Sequence, residues 1–166
     1  MNIKSLAAIA VLLLPAGGSG RSRTEAGVFR AGTVTVTVNR VRRIDPMDSA
    51  PDPGADFYAR VTIGHTESTS PVIESRDDVA PQWTFTQEVG SETIPIVIKL
   101  FDKDGTGSDD HCDINPRSGA RDISIRYDLR TGRFAGDVTG LRERLTRVHG
   151  AGDTKRAEIW FTVSNR

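Results

Sequence analysis

The chain has 166 residues and no formal net charge, because 22 lysine and arginine residues balance 22 aspartate and glutamate residues. That length suits one domain with a substantial core, and the balanced charge excludes a global positive field that would draw the protein to nucleic acid. Cys112 is the single cysteine, so the 166 residues cannot form a disulfide among themselves.

The N-terminal segment has the pattern of an export signal. Lys4 precedes an apolar run over residues 6–14, and small residues follow as far as Gly20. The apolar run is too short to span a bilayer, and this arrangement is typical of a secretory signal peptide. We therefore predict a signal peptide over residues 1–20, a disordered leader over residues 21–31 and a secreted or periplasmic domain over residues 32–166.

Most of the remaining chain shows the period-two alternation of half-buried strands. Val34, Val36 and Val38 alternate with polar residues, and similar runs recur down the sequence. Such alternation, broken by turn signals, is typical of β-strands that bury one face. The prediction is an all-β, eight-stranded antiparallel sandwich. Its strands lie near residues 34–38, 57–63, 71–74, 83–89, 94–100, 123–129 and 157–163, with another after the turn at residues 130–133.

An acidic, glycine-containing stretch follows the strand at residues 94–101. Asp102, Asp104 and Asp110 would repel one another in water unless a cation bridged them, and Ca²⁺ prefers oxygen ligands of this kind. A helix-loop-helix calcium site is rejected, because a strand precedes the stretch and Pro116 would break a following helix. In addition, Asp113 occupies the position where that motif requires glutamate. The stretch is interpreted as a calcium loop between strands.

Two features of the C-terminal half complete the local predictions. Leu141, Leu145 and Val148 recur at helical spacing, which predicts a short helix over residues 139–150 with its arginines facing water. Cys112 has only His111 beside it, since His65 and His149 lie far away in the sequence. A buried, chemically inert thiol is therefore predicted rather than a nucleophile or zinc ligand.

Three motifs, in order, resemble the C2 domain family over residues 33–114. Residues 44–58 are similar to its first calcium loop, which runs through a glycine-containing turn into a strand. Farther along, Pro81-x-Trp83-x-Phe85 is similar to the family's Asn-Pro-x-Trp-Asn-Glu-x-Phe motif, with Ala80 in place of the asparagine. Asp102, Asp104 and Asp110 reproduce the spacing of its third loop, and residues 158–163 resemble its closing strand.

The resemblance implies a C2-like sandwich and a set of ligands for Ca²⁺. Backbone carbonyls near Met47 and Lys103 would complete the coordination shell. The first loop is longer than the family pattern, so the choice between Asp48 and Asp52 as its ligand stays open. Asp45 and Asp109, like Asp52, rank as acidic neighbours. The implied ligands are Asp48, Asp56, Asp102, Asp104 and Asp110.

Two functions remain open at the level of sequence. The resemblance implies a module that binds anionic phospholipid when calcium is present, and we expect the protein to be a monomer. The alternative is a secreted structural or protein-interaction module in which calcium only stabilises the loops. The small, polar tip at Gly105, Thr106 and Gly107 favours this alternative. No Ser-His-Asp or paired-glutamate arrangement is evident, so we do not expect an enzyme.

Overall fold

The computed structural model describes residues 31–47 and 54–166. The predicted signal peptide, the leader as far as residue 30, and the loop-one candidates Asp48 and Asp52 lie outside these residues. Among the described residues, no helix is long and apolar enough to cross a membrane.

The described residues form twelve β-strands, all paired antiparallel, and none of these residues lies in a helix. The strands are β1 (Gly32–Arg43), β2 (Phe57–Ile63), β3 (Thr66–Thr69), β4 (Asp78–Val79), β5 (Trp83–Val89), β6 (Thr93–Asp102), β7 (Asp110–Cys112), β8 (Ile123–Asp128), β9 (Arg133–Gly136), β10 (Gly140–Leu141), β11 (Thr146–His149) and β12 (Ala157–Asn165).

The first sheet is built around the long strand β1. Its order is β11-β12-β1-β4, and β5 also pairs with β1. The register sets Val36 opposite Phe85 on one side and Val163 on the other. Because side chains alternate along a strand, Val34, Val36 and Val38 all enter the core while the threonines between them face outward.

The second sheet is built around β6. Its order is β10-β9-β8-β6-β2-β3, and β7 pairs with the C-terminal end of β6. Ile98 lies opposite Val61 on β2 and Ile123 on β8. These three side chains are at most 1% exposed, so the centre of this sheet is as well buried as that of the first.

The core lies between the two sheets and draws on both. Burial of apolar side chains from the two inner faces is the main favourable contribution to folding. The alternation along β6 and β12 buries one face of each strand and leaves most of the other partly accessible. The fully buried side chains include Val34, Val36, Phe57, Ile96, Ile98, Tyr127 and Phe161. The architecture is the β-sandwich that the sequence predicts.

The predicted strand count and the predicted helix are both wrong. The described part of the chain holds twelve strands rather than eight, because short edge pairings such as β4 and β10 carry too few residues to show a period. Where the helix was expected, β10 pairs with β9 in the second sheet and β11 pairs with β12 in the first. The segment therefore crosses from one sheet to the other.

The helical spacing was misleading because most of its apolar residues are not buried. Leu141 is 42% exposed and Leu145 is 59% exposed, whereas Val148 on β11 is only 7% exposed. Glu143 has a φ of 60°, which a right-handed helix cannot accommodate. Strand pairing to β12 satisfies the backbone instead, and tertiary contacts override a weak local pattern.

Candidate functional site

The strand registers bring the described ends of the first acidic loop, residues 44–47 and 54–56, to the same end of the sandwich as the second acidic loop, residues 102–110. The first loop ends where β2 begins at Phe57, which lies opposite Asp102 at the end of β6. Asp102 also lies opposite Asp110, where β7 begins. Antiparallel pairing therefore places Asp102 and Asp110 on neighbouring strands, with Asp56 directly before the first residue of a third.

Hydrogen bonds donated by backbone N–H groups join the first loop to the second. The N–H of Asp56 donates to Oδ1 of Asp102, and the N–H of Lys103 donates to the carbonyl of Asp56 at 3.0 Å. Oδ1 of Asp56 accepts a third bond, from the N–H of Ser75 at 2.6 Å. Asp102 is only 2% exposed, so its carboxylate lies deep between the loops while Asp56 is half-buried.

The second loop is closed by bonds to Asp109. One carboxylate oxygen of Asp109 accepts from the N–H of Asp104 at 3.3 Å, and the other accepts from the Tyr58 hydroxyl at 2.6 Å. The bond from Tyr58 lowers the pKa of Asp109, while burial raises the pKa of Tyr58 and the bond to Asp109 adds to that rise. Asp109 thus holds the loop in shape, while Asp104 stands half-buried beside it.

The loop directly before β12, which the sequence analysis did not single out, brings two positively charged side chains to the acidic end. Lys155 forms an ion pair with Oδ2 of Asp110. Nε and Nη2 of Arg156 donate to the two carboxylate oxygens of Asp45 at 2.8 and 2.9 Å. These hydrogen bonds lower the pKa of Asp45. The one sequence signal was an adjacent basic pair directly before the last strand.

Cys112 lies where the sequence predicts a buried thiol. It is 0% exposed on β7, and its Sγ lies 3.9 Å from Sδ of Met47. Burial raises the pKa of the thiol far above its ordinary value. Because the thiolate is the reactive form, a buried thiol of this kind is a poor nucleophile and a poor metal ligand.

Oxygen ligands dominate this end of the molecule, which fits a hard cation such as Ca²⁺ and not a soft one. Asp56, Asp102, Asp104 and Asp110 all lie on the two joined loops. Within residues 31–47 and 54–166, however, no three His, Cys, Asp or Glu side chains form a preformed metal-binding group. The backbone joins the two loops, but their described carboxylates do not converge on one point, and Ser75 and Lys155 already engage Asp56 and Asp110.

Comparison with known families and solved structures agrees with this architecture. The family model for the C2 domain matches residues 32–123, more than half of the chain. The first C2 domain of plant Extended Synaptotagmin 1 is 12% identical, with a TM-score of 0.56 over 81% of this chain and 94% of that one. The calcium-bound pair of C2 domains of Extended-Synaptotagmin 2 is 13% identical, with a TM-score of 0.55 over 80% and 45% of the two chains.

A third structure, of human GIVD cytosolic phospholipase A2, is 15% identical with a TM-score of 0.51. The match covers 82% of this chain but only 16% of the phospholipase, so the likeness spans a small part of that protein. At these identities the solved structures establish the fold alone. No curated protein sequence matches the chain.

Proposed function

This chain belongs to the C2 domain family, and from that premise we propose that its acidic loops bind Ca²⁺ and thereby attach the domain to anionic phospholipid. One observation carries the proposal. The register that sets Asp102 opposite both Phe57 and Asp110 gathers carboxylates from two separate loops at one end of the sandwich. Carboxylates gathered in this way repel one another unless cations compensate them.

The proposed ligands are those that the family resemblance implies. Asp56, Asp102, Asp104 and Asp110 stand on the two loops, and Asp48 lies outside the described residues. The carbonyls of Met47 and Lys103 remain candidates for the rest of the shell. Bound calcium would supply positive charge and open coordination positions for phosphate oxygens of the lipid.

The expected affinity fits a module that works outside the cytoplasm. Calcium sites of extracellular modules bind with dissociation constants of about 0.1 to 1 mM. The predicted signal peptide over residues 1–20 supports export out of the cytoplasm, where modules of this affinity work. We therefore propose a secreted or periplasmic location for the domain.

Calorimetric titration with Ca²⁺ followed by vesicle sedimentation tests the proposal. Asp104→Asn should weaken binding about tenfold, because it removes one formal charge beside the cation. Glu88→Gln is the matched control: it makes the same charge change on β5 near Val89, at the end of the sheet away from the loops. The wild type should sediment with phosphatidylserine vesicles in calcium and remain in solution with chelator.

Two results would contradict the proposal. If saturable binding is absent up to several millimolar calcium, or equal in the wild type and Asp104→Asn, the acidic loops of the wild type do not bind the ion as proposed. If the protein binds calcium but ignores vesicles, the attachment to lipid is wrong.

The second of these results would favour an alternative function. A structural or protein-interaction module needs its loops held in place but needs no lipid. The ion pairs of Asp110 with Lys155 and of Asp45 with Arg156 show that the chain supplies cations to these loops itself. The exposed tip at Gly105, Thr106 and Gly107 presents no bulky apolar side chain for a bilayer.

A further inference from the structure

A segment near the C-terminus is hydrogen-bonded to the chain on both sides, next to each of the two acidic loops. This segment, residues 150–156, is called here the basic loop. On one side the N–H of Asp113 donates to the carbonyl of Lys155 at 2.8 Å. On the other side the N–H groups of Ile44 and Asp45 donate to the carbonyl of Arg156 at 2.9 and 3.1 Å. Backbone bonds therefore determine where the basic loop lies.

Asp113 limits the freedom of the basic loop to move away. Its side chain is 2% exposed, and its Oδ2 accepts a hydrogen bond from the N–H of Gly152 at 2.6 Å. A Cβ atom added at Gly150 would overlap the backbone oxygen of Asp113, so only glycine permits this approach. The basic loop and the start of the segment after β7 form one closely packed unit.

Lys155 adopts a backbone conformation that its residue type disfavours. Its φ is 56°, in the left-handed region that glycine and asparagine tolerate and most side chains avoid. Such a conformation persists only where the surroundings determine it, and it is concentrated at functional positions. Glycine would adopt this backbone conformation with less strain, so the presence of a lysine at position 155 suggests that its side chain has a role.

The side chain of Lys155 ends on one of the proposed calcium ligands. Its Nζ pairs with Oδ2 of Asp110, and the two side chains are 33% and 21% exposed. Asp110 lies opposite Asp102 in the β6–β7 ladder. The ammonium group therefore supplies, from within the chain, positive charge where neighbouring carboxylates would otherwise repel one another.

We propose that Lys155 is a tethered cation that neutralises Asp110 when calcium is absent and competes with calcium for that carboxylate. It thereby sets the calcium affinity of the site and the stability of the loops without the ion. This inference rests on the proposed function, since it concerns the same loops. The left-handed backbone of Lys155 and its ion pair are the two observations that carry it.

Replacement of Lys155 separates the two effects. Lys155→Met keeps the aliphatic stem and removes the charge. Its calcium affinity should rise about fivefold, the equilibrium effect of an ion pair of about 1 kcal/mol. In chelator its melting temperature should fall by about 3 °C, because Asp110 loses its counter-charge.

Two further variants serve as controls. Lys99→Met makes the same change in net charge, but Lys99 pairs with Glu67 on β3 and not with a loop aspartate. It should leave calcium affinity within about twofold of the wild type, because exposed pairs have small effects. Lys155→Arg keeps the positive charge and should also retain the wild-type affinity. Calorimetry in calcium and thermal melting in chelator give the two readouts.

The outcomes distinguish this inference from the proposed function. The inference is supported if Lys155→Met binds calcium more tightly than the wild type while Lys99→Met and Lys155→Arg do not. It is also supported if Lys155→Met binds calcium and the wild type does not, although that result overturns the proposed function. Equal or weaker binding by Lys155→Met than by a calcium-binding wild type overturns the inference alone. If none of the variants binds calcium, both are overturned.

Discussion

At the scale of single residues, Glu158 is a charged side chain buried on the outer face of a sheet. It is 2% exposed on β12, and it forms ion pairs with Arg147 and with Arg42, the latter at 2.7 Å. Burial raises the pKa of Glu158, but the hydrogen bond from Arg147 and the charges of Arg147 and Arg42 outweigh it and leave the pKa lowered. The native state therefore favours the ionised carboxylate.

Glu158→Gln tests this interaction through its pH dependence. We expect the variant to lose about 1 to 2 kcal/mol of unfolding free energy near pH 7, since two charge-assisted contacts are lost. Because the folded pKa is lowered, the stabilising contribution is complete above the ordinary value of 4.5 and is lost as the pH falls through the folded pKa. Urea unfolding across this range should show wild type and variant converging in acid.

Glu67→Gln is the matched control for Glu158→Gln. Glu67 pairs with Lys99 on a half-exposed surface, and its removal should change the unfolding free energy by less than about 0.5 kcal/mol. A stability gap for Glu158→Gln that persists unchanged into acid would show that its ionisation does not stabilise the fold.

At the scale of elements, β12 is held from both sides by contacts that cross strands. The guanidinium groups of Arg40 on β1 and Arg147 on β11 lie 4.9 and 5.1 Å from the ring centre of Trp160. Cation–π contacts of this kind add to the backbone ladder that joins the three strands. They help to explain why residues 146–149 pair with β12 as a strand.

A pair of substitutions distinguishes the strand from the predicted helix. Val148→Ala should cost about 2 kcal/mol, because it leaves a cavity beneath β11, whereas Leu145→Ala should cost less than about 0.5 kcal/mol at an exposed position. A helix packed on the sandwich through both residues would give similar losses. Chemical denaturation of the two variants provides the comparison, and equal losses would contradict the strand.

At the scale of the whole molecule, one core shared by two sheets holds a fold that has no internal disulfide. Cys112 lies within that core at 0% exposure, beside Met47. Reagents reach such a thiol only when the surrounding structure opens. The rate of modification of Cys112 therefore reports how firmly the loop end of the sandwich is closed.

Thiol labelling measures this directly. A maleimide should modify Cys112 at least about a thousandfold more slowly in the native protein than in guanidinium chloride, consistent with the stability of ordinary domains. Denatured protein under the same reagent concentration provides the reference rate. Rapid labelling of the native protein would show that the core is open at β7.

Several strands were predictable from the alternation of apolar and polar residues in the sequence. The alternation along residues 94–100 and 157–163 predicted strands with the observed inner faces, because burial of every second side chain is encoded within the strand itself. The resemblance to the C2 family is confirmed over residues 32–123. The implied calcium ligands, the function as a lipid-binding module and the signal peptide stay predictions.

The amino-acid sequence by itself determined the all-β class, the buried thiol and the presence of two acidic loops, because periodicity, hydrophobicity and charge are local properties. Only the tertiary structure decided that β10 and β11 belong to different sheets and that Lys155 and Arg156 lie against Asp110 and Asp45. Those contacts join residues far apart in the chain through backbone pairing, and no local pattern specifies which distant strand satisfies a given hydrogen bond.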